Sequence, residues 1–481
     1  MAKFSGGSMT IPCNDQKKPF NLGRLLAICA VCVAGLPVTA AWADSHARIV
    51  RLSDVQGSVQ MSHGAGEKLS RAFINLPLVE GSHIKTGPDG RAEVEFEDGS
   101  TLRLATETEV DFSRLSLADD GSKLNTAQLL SGMVYANVHT KKRGSGDEFV
   151  LNFARDSVTV PEAAHFRLAI DGTNHATLAV FRGKCSAKLP SGQFDVTDKH
   201  SAGIKFSDAV VGTGTGQSDA AATDRRDADP TKDSVMIAKN YVSQPSDEWD
   251  RQQSEYHDRN ASTTTASKLG SPYVYGMSDL NYYGNFRNVP GYGSVWQPFF
   301  TGANWSPFQD GGWAFYPGAG YSWVSGYQWG WMPYHYGTWA FASGYGWFWQ
   351  PGLWNSYAPM PHVVNVPKTV KLPTAPTTGR QTTIVGRGLA VNPPAGMIKV
   401  MTITPGSAGF GVPRGSVDHL NNIAKKVDRT SRPISVAAAR PLPTSPAQSG
   451  FPQSGTRGMP NSASSPVSHT HQPAVAPPRP H

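Results

Sequence analysis

The sequence predicts a mainly β chain: one β domain, then a smaller aromatic-rich β module, with a disordered linker between them and a disordered C-terminal tail. Three observations carry this reading. From Arg48 to about Phe206, short segments of alternating apolar and polar residues are separated by turn residues. Ten of the twelve tryptophans fall between Trp296 and Trp354, with almost no aliphatic residue beside them. From Asn355 onward the chain holds 20 of its 36 prolines.

Residues 1–43 read as a signal peptide. Lys17, Lys18 and Arg24 precede an apolar run from Leu25 to about Leu36, and Ala41-Trp42-Ala43 is a small-x-small cleavage site. The run is shorter than a membrane-spanning helix needs and contains Gly35. The expected product starts near Asp44, has no integral membrane span and is periplasmic or secreted. Beyond that point only Cys185 remains, which excludes an internal disulfide and reads as a small buried hydrophobe.

The first domain is placed at 44–206. Asp89-Gly90, Asp98-Gly99, Asp120-Gly121 and Asp171-Gly172 mark tight turns, because Asp-Gly suits the positive φ angles of hairpins. Ala92, Val94 and Phe96 alternate with Glu93, Glu95 and Glu97, and Leu102 and Leu104 continue the apolar face. The expectation is a hairpin whose acidic side is solvated.

Residues 207–270 read as a linker rich in Asp, Ala, Ser and Thr. One short helix is expected inside it: Ser246 caps, Asp247 and Glu248 suit the first turn, and Trp249 and Tyr256 share a face.

The aromatic module is placed at 271–360. Within it Ser325-Gly326-Tyr327-Gln328-Trp329-Gly330-Trp331-Met332-Pro333 returns as Ser343-Gly344-Tyr345-Gly346-Trp347-Phe348-Trp349-Gln350-Pro351, an internal repeat that predicts two aromatic strands. With Leu, Ile and Val scarce, the rings must supply the core themselves, while some are expected at the surface.

Residues 361–432 read as a partly ordered extension, and 433–481 as a disordered Pro-rich tail. In the extension, Met397 to Ile403 looks strand-like. Ser416 is the expected cap of a helix with Leu420, Ile423, Ala424 and Val427 on one stripe. Charge divides along the same line. Residues 44–354 carry 27 Lys and Arg against 34 Asp and Glu, whereas residues 355–481 carry 13 against 2. These cations are dispersed among prolines, which argues against nucleic acid and for loose association with anionic envelope polymer or the acidic β domain.

The stretch Arg48 to Leu117 resembles the FecR domain family. The residues that carry the likeness are Val55-Gln56-Gly57-Ser58-Val59, Leu76 through Gly87, and Arg91 through Leu104; Gly132 through Ala136 and Phe166-Arg167 extend it. The resemblance implies a β-rich extracytoplasmic module. In founding members that module receives a signal from an outer-membrane transporter and passes it through one membrane helix to a segment controlling a sigma factor. Only about two dozen residues precede Leu25 here, so the resemblance carries over the sensing or scaffolding half of that role. The aromatic block resembles a Trp/Tyr-rich module, of no known activity, found downstream of FecR domains. Gly293 through Pro298, Asp310 through Trp313, Trp329 through Trp339 and Gly346 through Gly352 carry that likeness.

No Gly-x-Ser-x-Gly, His-Glu-x-x-His or Gly-x-x-x-x-Gly-Lys motif is present. Gly212 through Gln217 departs from the dinucleotide fingerprint at its third glycine, and His469-Thr470-His471 lies in the tail. No catalytic, cofactor or metal residues are therefore assigned. The candidate binding surface is Trp313, Trp323, Trp329, Trp331, Trp339, Trp347 and Trp349 with His335, for which a structural hydrogen bond is expected. The functional expectation is a non-enzymatic, exported FecR-like protein acting as an envelope sensing or scaffold module. The alternative is binding of glycan or peptidoglycan by the aromatic module, the partner being an envelope protein or a cell-wall polysaccharide.

Overall fold

The computed structural model describes residues 48–64, 66–139, 146–172, 174–205, 234–260, 262–394 and 399–438. The expected signal peptide, the linker stretch 206–233 and the tail from 439 lie outside the described residues.

The chain is mainly β. In the first half sixteen strands form one hydrogen-bonded system. Two long strands, Lys123–Val138 and His175–Leu189, hold it together by pairing with different neighbours along their lengths. Lys123–Val138 pairs in parallel with Glu148–Phe153 at one end and antiparallel with Ala164–Ile170 and Thr101–Leu104 at the other. The alternation of the sequence sets what goes inside. Val50, Leu52, Ala92, Val94, Leu102, Leu104, Phe166 and Leu168 are fully buried in one apolar cluster.

The Asp-Gly pairs behave as two kinds of corner. Gly99, Gly121 and Gly172 take φ of 86°, 79° and 76° between the strands they join. Gly90 is needed for space instead, since a Cβ there would lie 2.0 Å from the Ser58 carbonyl oxygen. Cys185 is buried, and burial pushes its thiol pKa up, as expected of an inert apolar-like group.

Residues 234–260 and 262–270, expected as linker, are folded. Ser234–Lys239 adds an antiparallel strand against His200–Lys205. Helix α1 (Asp247–Arg259) buries Trp249 and Tyr256, as their spacing predicts, though Ser246 makes no side-chain capping bond. Helix α2 (Ser262–Leu269) follows. The composition looked like a linker because these elements bury few aliphatics; they dock instead through Trp249, Tyr256 and buried polar groups.

Helix α3 (Met277–Tyr283) opens the aromatic module. A five-stranded sheet runs in the order 284–289, 293–298, 346–350, 338–342, 362–364, and a second sheet pairs Gly311–Tyr316 with Gly320–Ser325 and Thr383–Val385. The sequence repeat is not a structural repeat. Its second copy supplies the strand Gly346–Gln350, but the first leaves its strand at Ser325, turns, and forms the short helix α4 (Trp331–His335). Packing decides the difference: a Cβ on Gly330 would lie 2.3 Å from the Ser325 side chain, so the chain can fold back there only with glycine.

Residues 355–394 and 399–438 are more ordered than their proline content predicts. Met360, Val363, Val366, Val370 and Leu372 lie against the aromatic core. Val400–Ile403 pairs with Ile434–Ala437, the latter lying past the expected limit of order. Helix α5 (Leu420–Thr430) buries Leu420, Ala424 and Val427, but Ser416 bonds the Pro413 carbonyl rather than capping it.

Candidate functional site

The rings assigned to a binding surface are the core of the second module. Trp323, Trp329, Trp331, Trp339, Trp349 and His335 are fully buried, and Trp313 and Trp347 are 3% exposed. This corrects the surface reading, and the reason is the one that placed the rings in one module: with few aliphatic residues to fill the interior, they must. Trp329 sits at the centre, 4.7 Å from Tyr327 in a near-parallel stack and 4.9 Å from Trp296. Trp339 pairs directly across the sheet with Trp349, and Trp313 with Trp323. Trp296, Trp305, Trp329 and Trp349 donate their indole N–H to Leu280 O, Tyr327 Oη, Ala408 O and Tyr336 O.

His335 is structural, as expected. Burial lowers its pKa to about 4, so the ring is neutral. Its Nδ1–H donates to Ala358 O at 2.9 Å, and its Nε2 accepts from the Tyr357 hydroxyl at 3.3 Å while the two rings stack at 4.3 Å.

The chemistry that the sequence did not place lies where the two modules meet. Glu93, Glu95 and Glu97, expected on a wet face, are 0%, 1% and 5% exposed. The hairpin's second face is covered by α1, by the start of α3 and by the loop carrying Arg414. Arg51 donates to Glu95 at 3.1 Å within its own sheet, and across the junction to Asp279 and the Gln328 carbonyl, both at 2.6 Å. Arg414 donates to Glu93 at 2.6 Å and to the Ser53 carbonyl at 2.5 Å. Arg103 joins Glu93 at 2.7 Å to Asp250 of α1 at 2.6 Å. His257 Nε2 lies 3.0 Å from Glu93, and the Tyr256 hydroxyl donates to Asp279 at 2.7 Å. Gly276, at φ 75°, gives Arg51 its access: a Cβ there would sit 3.3 Å from the guanidinium and 3.4 Å from the Trp331 Cβ.

The charges in this cluster sort themselves. Burial alone would raise every carboxyl. Against it, His257, Arg414 and Arg103 hold Glu93 well below its ordinary value. Arg103 and His165 also lower Asp250, and Arg414 and Arg51 lower Asp279. Asp54 and Glu95 are the opposite case, and burial keeps their pKa values raised. Three lowered carboxyls thus stand with three buried arginines, while Asp54 and Glu95 are shifted the other way. Such a network adds little net stability over apolar packing but penalises any misdocked arrangement heavily.

Tight polar contacts extend the junction. Asn75 donates to the Ser325 and Tyr327 carbonyls, Asn392 to Asp54 at 2.7 Å, and the Tyr316 hydroxyl to Pro77 O at 2.8 Å. Ala314, Tyr316 and Val324 enter the apolar core of the first module. Of these residues the sequence reading singles out Glu93 and Glu95, on a solvated face, and Tyr256, on a helix face; nothing local marks Arg51, Asp279 or Arg414 as members of one cluster. Among the described residues no cluster of His, Cys, Asp and Glu has the arrangement of a metal site, and no helix is long and apolar enough to cross a membrane.

Residues 82–186 match the FecR protein family, and residues 277–376 match a family of unknown function, DUF6600. Two crystal structures of a protein from Parabacteroides distasonis ATCC 8503, described as an anti-sigma factor, are similar at 13% and 14% identity with TM-scores of 0.24. Each match covers 33% of this chain and 59% of that one, so this chain spans less than two thirds of its solved relative. Curated proteins yield no match. The buried arginine and carboxylate junction therefore joins two recognisable units: the chain carries a FecR domain followed by a DUF6600 domain.

Proposed function

We propose that this protein is a non-enzymatic, exported envelope sensing or scaffold protein whose FecR and DUF6600 domains act as one rigid body. The observation that carries the reading is the junction, where Arg51 and Arg414 each bind groups of both domains directly. A contact made on either domain shifts the other without a hinge. The FecR match supports a sensing or regulatory role, and the apolar run and small-x-small site in residues 1–43 support export to the periplasm or beyond. The partner is an envelope protein that docks on the outer surface, since the tryptophan faces are occupied in the core.

The test is capture of an outer-membrane or periplasmic protein by the full chain, with cross-links that place it on the described surface. Loss of capture in Arg414→Ala, with each domain still folded, supports the rigid-body reading. Turnover of envelope glycans by purified protein, abolished by His335→Ala, overturns the non-enzymatic one.

A further inference from the structure

A cleft of about 860 Å³ opens between the strand Gly284–Val289, within the DUF6600 match, and α5, which follows that match, with Tyr256 and Arg259 of α1 at its side. Its volume lies within the about 300–1,000 Å³ of small-molecule sites, room for several sugar rings. Helix α5 forms one wall. Leu420, Ala424 and Val427 pack against the aromatic core, Leu420 and Ala424 also reaching the base of the cleft, while Asn421, Lys425 and Asp428, at helical spacing, stand exposed beside it. Asn285, Arg287 and Arg259 face them.

Partly buried Tyr282 and Phe299 line the floor. Tyr282 is held rigidly, its hydroxyl donating to Val417 O at 2.9 Å and accepting from Val417 N at 3.0 Å. Arg287 is also fixed, donating to Gln297 Oε1 at 3.1 Å and lying over the Tyr345 ring at 5.2 Å. Asn285, Asp418, Lys425 and Asp428 stand exposed around the opening, and no hydrogen bond among the described residues engages their side chains. Phe300, buried at the base, and His419, exposed at the edge, hold left-handed backbone angles of 60° and 52°. Such angles are costly for non-glycine residues, and these outliers gather at ligand sites more often than elsewhere.

We infer that this cleft binds an oligosaccharide. Planar carboxylate, amide and guanidinium groups can each meet two neighbouring hydroxyls, and the fixed rings offer flat faces to the C–H side of a pyranose. The mixture of Arg259, Arg287 and Lys425 with Asp418 and Asp428 argues against a polyanion, for which a single sign is needed. Charged and amide groups interleaved with Phe299, Val417 and Leu420 suit the alternating hydroxyl and C–H faces of a sugar better than an acyl chain. This site uses none of the buried tryptophans and does not depend on the rigid-body reading.

The experiment is calorimetric titration of the full chain with an N-acetylglucosamine hexamer, a glucose hexamer and a sugar-free wall stem peptide. One hexamer binds saturably. Asp428→Asn and Asn285→Ala each weaken it by about tenfold, the loss of one good hydrogen bond to a charged or polar partner, and Asn421→Trp blocks it. All three positions are exposed, so the thermal midpoint stays at the wild-type value, and Lys239→Ala, on a remote strand, binds normally. Absence of binding by both hexamers at millimolar concentration overturns the inference. So does binding that the three cleft variants leave within about twofold, or binding of the stem peptide alone, which would mark the free edge of Gly284–Val289 as a peptide site.

Discussion

Arg414 and Glu93 stand 321 positions apart in sequence and meet at 2.6 Å with their side chains 1% and 0% exposed. The arginine comes from the stretch that reads as a partly ordered extension, the glutamate from a hairpin with the pattern of a solvated face. Each misleads alone, and together they close the junction between the two domains.

Arg414→Ala leaves Glu93 buried with Ser53, His257 and Arg103 as its remaining partners. Breaking a buried pair on one side costs about 3–5 kcal/mol, and urea unfolding followed by both near-UV circular dichroism and tryptophan fluorescence should show that loss. Glu93→Gln, which removes the charge that buried Arg103 and Arg414 share, should cost at least as much. Coincident transitions by both probes are expected in the wild type, because the apolar clusters interpenetrate at the junction.

Tryptophan accessibility checks the placement of the rings. Trp354 is half-buried at the edge of the core, and the other tryptophans from Trp249 to Trp349 are 5% exposed or less. Iodide should therefore quench little of the native emission, and Trp354→Phe should remove most of what it does quench. Quenching typical of free indole would contradict the buried core.

His335 gives a defined pH dependence. The unfolded chain takes a proton at this ring near pH 6.5, while burial holds the folded ring neutral until about pH 4. Between those values the unfolded state binds more protons, so the contribution is complete above pH 6.5 and is lost as pH falls toward 4, by about 3 kcal/mol. His335→Gln should start less stable and show a flatter stability profile across that window, measured by denaturant midpoint at fixed ionic strength. The lowered carboxyls Glu93, Asp250 and Asp279 add a further loss only below about pH 4.

Gly337→Ala tests the fit of the aromatic sheet. The residue has φ of 69°, and a Cβ would lie 2.3 Å from Gln350 O and 2.6 Å from the Trp349 indole nitrogen. A destabilisation of about 2 kcal/mol or more is expected, since both the backbone angle and the packing oppose a side chain. Gly344→Ala, also at positive φ but with open space around it, should cost only about 1 kcal/mol.

What is local is legible in the order of the amino acids. Alternation placed Ala92, Val94 and Phe96 in a core, Asp98-Gly99 closed their hairpin, the spacing of Trp249 and Tyr256 built α1, and the poverty of aliphatics forced the tryptophans inward. Motif residues likewise marked both families. Tertiary structure alone decided the rest, because burial of a charge depends on partners that local pattern does not contain. Glu93 reads the same whether water or Arg414 faces it, and Ser325 through Pro333 reads like Ser343 through Pro351 until Gly330 is pressed against Ser325. Period and composition record which face of a segment is polar; only the packed fold supplies what that face meets.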